Sequence, residues 1–290
     1  KIVDVREHFE WDICHIEGAL NIPMNLIVES IDKISKDITT VIMCHHGIRS
    51  MNVIHYLESI GYNFFRNVIH DFYSFNPLEA FRRDEIKASY QYFKEYFYNS
   101  VLLEDVEETR IYALEKSLEI FNSNSNGLFL EFGVHSGKSI NLFANRLKKK
   151  NKKIYGFDSF QGQPNDWPGY IRKKGYQKIN KKNIDKLNSN VEIIEGMVEE
   201  TLDGFLQKYS KEKILFVHMD LDYYPSTKFV LKKIKPFLSN NAIILFHAIH
   251  NYSGWKNGVI KAINEVFEKN EFEFIGFSSK IQGVVKYNKI

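Results

Sequence analysis

The run VIMCHHGIRSMNVIHYL, residues 41–57, places a thiol, two imidazoles and a guanidinium within six positions. Three apolar residues lead into Cys44, and an amphipathic pattern begins near Ser50. Cys44 therefore reads as the end of a strand, and the loop to the next helix directs backbone N–H groups at its sulfur. Those dipoles, with the helix N-terminus, lower a thiol pKa and bind anions. Gly47 permits the tight loop. Arg49 supplies a fixed positive charge or braces the loop. The pattern suits a thiolate that attacks and then carries a negatively charged group. The plainer reading is a buried cysteine in an ordinary turn.

A second set of chemical residues ends later strand-like runs. LFLEFGVHSGKSINLFANRL, residues 128–147, reads as strand, glycine loop and helix. Gly133 and Gly137 let the backbone turn sharply and approach a ligand. Glu131 ends this strand with a carboxylate and Asp158 ends the next. Carboxylates suit hydroxyls or an ammonium and poorly suit a pyrophosphate. The spacing is G-x-x-x-G and not the dinucleotide G-x-G-x-x-G, so a tight structural turn explains it equally well. Asp220 and Asp222 end a further strand and offer oxygen to a hard cation. His247 and His250 follow the next strand as candidate bases, while His218 is placed to orient a neighbour. Asn251, Tyr252 and Trp255 either shape an acceptor pocket or pack the core.

The elements that position these residues alternate. In the first seventy or so residues, KIVDV, TTVIMC and NFFRNVI read as strands around a helix that has apolar Val53, Ile54, Leu57 and Ile60 at helical spacing and Gly61 at its C-cap. That is a small parallel sheet covered by helices. Residues 77–126 read as helices, beginning with Pro77 at N1, and NSNSNG from Asn122 is a turn-rich break. Residues 127–290 alternate again: five strands with crossovers, then an antiparallel hairpin. Such a doubly wound sheet binds ligands at the carboxyl ends of its strands. The expected organisation is therefore α/β with two domains, 1–76 and 127–290, and a helical connector at 77–126.

The chain of 290 residues has 44% hydrophobic residues, 23 Phe and 16 Tyr, enough for packed cores, and its net charge of +3 is small for this length. The lysine runs at 148–153 and 172–182 lack interleaved aromatic platforms, so they read as solvated surface and nucleic acid is not an expected partner. Two cysteines, Cys14 and Cys44, make neither a disulfide framework nor a C-x-x-C zinc site. A reducing cytoplasmic setting follows, with no secretory signal and no run of membrane-spanning length. The chain opens in a strand without Met, so residues are expected upstream. A homo-oligomer stays open.

IVDVRE, HIEGALNIP and the C-x-x-G-x-R-S loop, in this order over residues 1–70, resemble the rhodanese family of sulfurtransferases. The resemblance implies that Cys44 accepts sulfane sulfur as a persulfide from a sulfane donor, held by the loop amides. Four residues separate Cys44 from Arg49, one fewer than a phosphate-enclosing phosphatase loop. Cys14 stands where the family has glycine, and NVIHDFYSF where it closes with Gly-Gly and tryptophan. EFGVHSGKS, GFDSFQGQP, IIEGMVEETL and HMDLDYYPSTK, spread over residues 100–290, resemble the macrocin O-methyltransferase-like group. That resemblance implies a Rossmann-like, seven-stranded domain that uses S-adenosylmethionine to methylate a hydroxyl of a sugar, glycan or small metabolite. It implies Glu131, Gly133 and Gly137 along the methionine part of the cofactor, Asp158 on the ribose, and Gly196 with Met197 near the adenine. Asp220 and Asp222 would hold a divalent metal. Relatives place Asp-Glu where this chain has His247-Ala248, which loses two oxygen ligands and gains an imidazole. Either His247 or His250 then acts as base with a weak metal or none, or the domain has decayed to a binding module beside a sulfur carrier. A third reading joins the two domains in methylating a sulfur acceptor.

Overall fold

The structure, a computed structural model, describes residues 1–63, 65–69, 77–121, 126–167 and 172–289. The chain divides into two compact units, Lys1–Ala80 and Phe81–Ile290. The expected boundary at 76 lies outside the described residues, as do most of the NSNSNG break and part of NVIHDFYSF.

In the first unit the order is β1 (Ile2–Asp4), α1 (His8–Ile13), β2 (Leu20–Asn21), β3 (Thr40–Cys44), α2 (Ile48–Ser59) and β4 (Phe65–Ile69). The strands form one sheet in the order β2-β1-β3-β4, and every pairing is parallel. Val3, Ile42, Cys44, Val53 and Leu57 bury its core. The DVR run supplies a buried ion pair. Arg6 donates from Nε to both oxygens of Asp4 at 2.9 Å and from Nη2 to the Cys14 carbonyl at 2.8 Å, so it pins the end of α1 to the sheet. A buried guanidinium is tolerable only with such pairing.

α3 (Pro77–Tyr98) crosses the division, starting at the expected proline. β5 (Val101–Leu103) and α4 (Val106–Ile120) follow, α4 being capped by the Asp105 carboxylate on the Glu108 amide. Then come β6 (Leu128–Phe132), α5 (Lys138–Lys148), β7 (Ile154–Asp158), β8 (Val191–Glu195), α6 (Val198–Lys208), β9 (Ile214–Met219), α7 (Tyr224–Ile234), β10 (Leu238–Phe246), α8 (Val259–Val266), β11 (Phe272–Ser278) and β12 (Gly283–Tyr287). The sheet order is β5-β11-β12-β10-β9-β6-β7-β8, with β12 antiparallel to both neighbours. The seven strands read from sequence are present. The eighth, β5, lies in the stretch expected to be helical and pairs in parallel with β11. Three residues are too short to give a periodic signal. Chain order reverses between β6 and β9, which opens a crevice at their carboxyl ends.

Gly133 ends β6 with φ of 92°, and a Cβ there would lie 2.3 Å from the Asp220 carbonyl oxygen. Its close neighbour is the backbone that follows β9, and Gly133 also lines the crevice at the strand ends. Gly133→Ala is therefore expected to destabilise the domain by roughly 2–5 kcal/mol, from left-handed strain and a clash with backbone that cannot yield. A urea midpoint equal to that of the parent would show that this turn opens without cost.

Candidate functional site

Cys44 is buried at the end of β3. Its Sγ accepts hydrogen bonds from the Gly47 amide at 3.1 Å and the Ser50 amide at 3.3 Å, and lies 3.3 Å from Ser50 Oγ. Gly47 makes this cradle with φ of 80°, a left-handed turn that leads straight into α2. Burial opposes ionisation of the thiol. The Ser50 hydroxyl and the amides of Ser50, His46 and Gly47 outweigh it and hold the thiol below its ordinary range. Arg49 interacts with the charge of the sulfur across space. It forms a two-pronged ion pair with Glu10 of α1, at 2.5 and 2.8 Å. Glu10 also accepts the Glu7 amide at 3.0 Å in a capping box. The Arg49 hydrogen bond, against burial, brings the Glu10 carboxyl down to about 2. Arg49 thus braces the loop through Glu10 and also places its charge near Cys44.

In the larger unit a cavity of about 330 Å³ opens at the carboxyl ends of β6, β7, β9 and β10. Gly133, Asp158, Gly196, Met197, Asp220, Asp222 and His247 line it together. Asp158 ends β7 with each oxygen accepting one backbone amide at 2.7 Å, Oδ2 from His135 and Oδ1 from Phe160. Each oxygen keeps a lone pair for a ligand hydroxyl. Gly196, at φ of 136°, donates its amide to the Asp158 carbonyl at 3.1 Å.

Across the cavity, Asp220 Oδ2 lies 3.4 Å from Arg110 Nη2 of α4, and Asp222 Oδ2 accepts from Arg172 Nη1 at 2.8 Å. In the sequence Arg172 belongs to a basic run expected to be solvated. Its guanidinium instead stacks 5.2 Å from the Trp167 ring and 4.7 Å from the Tyr176 ring and reaches into the cavity. Neither arginine carries a motif, which is why spacing alone passed them over. Burial opposes ionisation of both aspartates. At Asp220 the neighbouring His247, His218 and Arg110 outweigh burial and hold the carboxyl below its ordinary range. At Asp222 burial prevails: His247 and Arg172 work against it, the Asp220 charge adds to it, and the carboxyl is pushed up. Asp222 Oδ1 is buried and has no hydrogen-bond partner among the described residues. Asp222 at φ of 57° and Ala248 at φ of 52° are both in the left-handed region, backbone strain of a kind that gathers at functional sites.

Three expected site residues lie elsewhere. Glu131 is fully buried and does not line the cavity; its Oε1 accepts from Ser139 Oγ at 2.7 Å and its Oε2 sits 3.4 Å from His218 Nδ1. His218 Nε2 lies 3.7 Å from Asp220 Oδ2, so Glu131 and His218 support Asp220 from beneath. Gly137, with φ of 85°, opens α5. His250 is buried among Phe93, Phe97 and Phe277, away from this cavity, and burial brings its pKa down to about 4. His247 remains. Its Nδ1 is 3.2 Å from the side-chain nitrogen of buried Gln282, on the β11–β12 turn, and 3.9 Å from Asp220 Oδ1. Trp255 and Tyr252 pack the core.

Asp220, Asp222 and His247 each bring one ligand atom within 4.8 Å of the others. With the orphaned Asp222 oxygen, this arrangement fits a divalent cation. Two carboxylates and an imidazole suit manganese or zinc better than magnesium.

The rhodanese-like domain family matches residues 1–76, and a methyltransferase domain family matches residues 130–249. The probable adenylyltransferase/sulfurtransferase MoeZ of Mycobacterium tuberculosis is 39% identical over 64 residues, 21% of this chain and 16% of that protein. Thiosulfate sulfurtransferase GlpE of Tolumonas auensis is 31% identical over 61 residues, 21% of this chain and 58% of that protein. The chain thus spans 16% and 58% of the length of these two relatives. The calicheamicin methyltransferase CalS11 superposes with a TM-score of 0.52 at 21% identity, over 62% of this chain and 77% of that one; the likeness is one of fold. Among the described residues no helix is long and apolar enough to cross a membrane.

The Glu10–Arg49 pair generates a pH prediction. Glu10 moves from an ordinary 4.5 to about 2 on folding. A depressed carboxyl stabilises above its unfolded pKa, and that stabilisation disappears as pH falls through the folded value. Glu10→Gln is expected to cost about 1–3 kcal/mol at neutral pH. The gap from the parent should close between pH 4.5 and about 2. Denaturant unfolding across that range checks it, and a pH-independent gap would refute the assignment.

Proposed function

We propose that this chain, a rhodanese-like domain joined to a methyltransferase domain, transfers a methyl group from S-adenosylmethionine to a hydroxyl of a small molecule or glycan, and that Cys44 carries sulfane sulfur. The observation that carries the first part is convergence. Asp158, suited to a ribose diol, and Gly196 with Met197 line the same cavity as Asp220, Asp222 and His247. Cofactor and acceptor would therefore meet where carboxylates face them.

When bound, S-adenosylmethionine would supply an electrophilic methyl group for the acceptor oxygen. Asp222 is the group we assign to take the hydroxyl proton, because its raised pKa makes it the more basic of the two aspartates. Asp220, held ionised, would supply the negative charge that a bound sulfonium favours. His247, with Nδ1 against Gln282, would turn its Nε2 to the acceptor. A second reading rests on the ligand atoms of Asp220, Asp222 and His247. These residues would hold a divalent cation, which would polarise the acceptor oxygen in place of the base.

In the first domain the Cys44 thiolate would attack thiosulfate, leaving a persulfide on Cys44 and releasing sulfite. The Gly47 and Ser50 amides that hold the sulfur favour this reading. Cys44 is a free thiol, as this chemistry requires.

Three outcomes are expected. S-adenosylhomocysteine binds calorimetrically, and Asp158→Ala weakens it at least about tenfold with the circular dichroism unchanged, two lost hydrogen bonds sufficing for that factor; equal affinity in the variant removes the cofactor reading. Methyl transfer fails on the acid side at a pH above the ordinary carboxylate range, because the base must be deprotonated, and Asp222→Asn abolishes that limb; a limb that persists in the variant excludes Asp222 as base. Thiosulfate adds the mass of one sulfur atom to the parent and to Cys14→Ser but not to Cys44→Ser; labelling that survives in Cys44→Ser would leave the first domain a scaffold.

A further inference from the structure

A second cavity, of about 410 Å³, opens in the larger unit between α3, β5, the loop after β10 and the end of β11. Its size falls in the range of small-molecule sites, about 300–1,000 Å³. The walls are aromatic and aliphatic, with Tyr90, Phe97, Leu103 and Phe277 among them. At its mouth Ile86 is 44% exposed, Tyr90 48% and Leu102 65%. Each apolar surface left in water costs about 25 cal/mol per Å², and a cluster of them around a concave site marks a place that is covered by a ligand. Two buried polar residues of the lining are tied to backbone, His250 Nε2 to the Gln282 carbonyl and Ser278 Oγ to the amides of residues 280–282. His250 is 5% exposed and Ser278 is 3% exposed, and both line it.

The chemistry of the lining selects the ligand. Among the described residues no lysine or arginine lines the cavity and Glu104 is its one carboxylate, so an anion finds no counter-charge there. His250 stays neutral at physiological pH, since burial takes its pKa to about 4. Its ring packs edge to face on Phe97 at 5.9 Å and on Phe277 at 5.7 Å, so this wall of the cavity is one continuous aromatic surface. The site also borders the first one. His250 Nε2 lies 3.3 Å from the Gln282 carbonyl oxygen, and the Gln282 side-chain nitrogen lies 3.2 Å from His247 Nδ1.

We propose that this second cavity is a binding site for an uncharged, ring-bearing small molecule, distinct from the cavity that holds Asp158 and Asp220. The proposal stands apart from the methyl-transfer reading, because none of its residues takes part in that chemistry.

The whole chain is titrated with N-phenyl-1-naphthylamine, an uncharged aromatic probe whose fluorescence rises in apolar surroundings. The expected result is saturable one-to-one binding that S-adenosylhomocysteine does not displace. Leu102→Glu and Ile86→Glu, at exposed mouth positions where folding tolerates a charge, should each weaken the probe about tenfold or more, because a carboxylate at the rim must be desolvated. Thermal melts of both variants establish that they fold. Absence of saturable binding, affinity unchanged in both variants, or displacement by S-adenosylhomocysteine would overturn the proposal. Calorimetry with S-adenosylhomocysteine alone reports on the first cavity and fails or succeeds separately.

Discussion

Asp220 and Asp222 follow the end of a central strand, where little water reaches them, and each draws a guanidinium from a distant part of the chain. Arg110 comes from α4 and Arg172 from the long connection after β7. A carboxylate removed from water without a partner costs several kcal/mol, so these two pairings fix where α4 and that connection must lie. The helix and the connection in turn form two walls of the cavity. From beneath, His218 stands between Asp220 and the buried Glu131. The site is thus a consequence of charge compensation as much as of sheet topology.

The same logic operates at smaller scale in the first domain. Arg6 is fully buried against Asp4, and Arg49 is spent on Glu10. Paired as it is, Arg49 still adds its charge to the potential at Cys44, beside the backbone amides of one short loop. That favours holding a charged sulfur without offering a free cation beside it. The loop depends on Gly47, whose left-handed conformation aims its own amide and that of Ser50 at the same atom.

Division of labour between the two histidines after β10 shows how closely spaced residues diverge. His247 and His250 are three positions apart, and both were candidates for the same role. The turn through Ala248 at φ of 52° and Asn251 at φ of 62° is tight enough to send one ring into the cavity and the other into an aromatic cluster. Gln282 touches both, by its side chain and by its carbonyl oxygen.

Local patterns carried much of this protein in the sequence itself. The strand ending in Cys44, the glycine turn at 133, the carboxylates at 158, 220 and 222 and the terminal hairpin were all legible, because strand periodicity, turn chemistry and strand-end position are short-range properties. Tertiary structure decided what those patterns could not encode. Gly133 is required by the Asp220 carbonyl, Arg172 leaves a basic surface run to neutralise Asp222, and Glu131 and His250 withdraw from the cavity. Each of these depends on which distant residue arrives within a few ångströms. Contact across eighty or more residues of chain, as between Gly133 and Asp220, leaves no trace in spacing, since it is set by how sheet and helices pack and by the need of every buried charge for a partner.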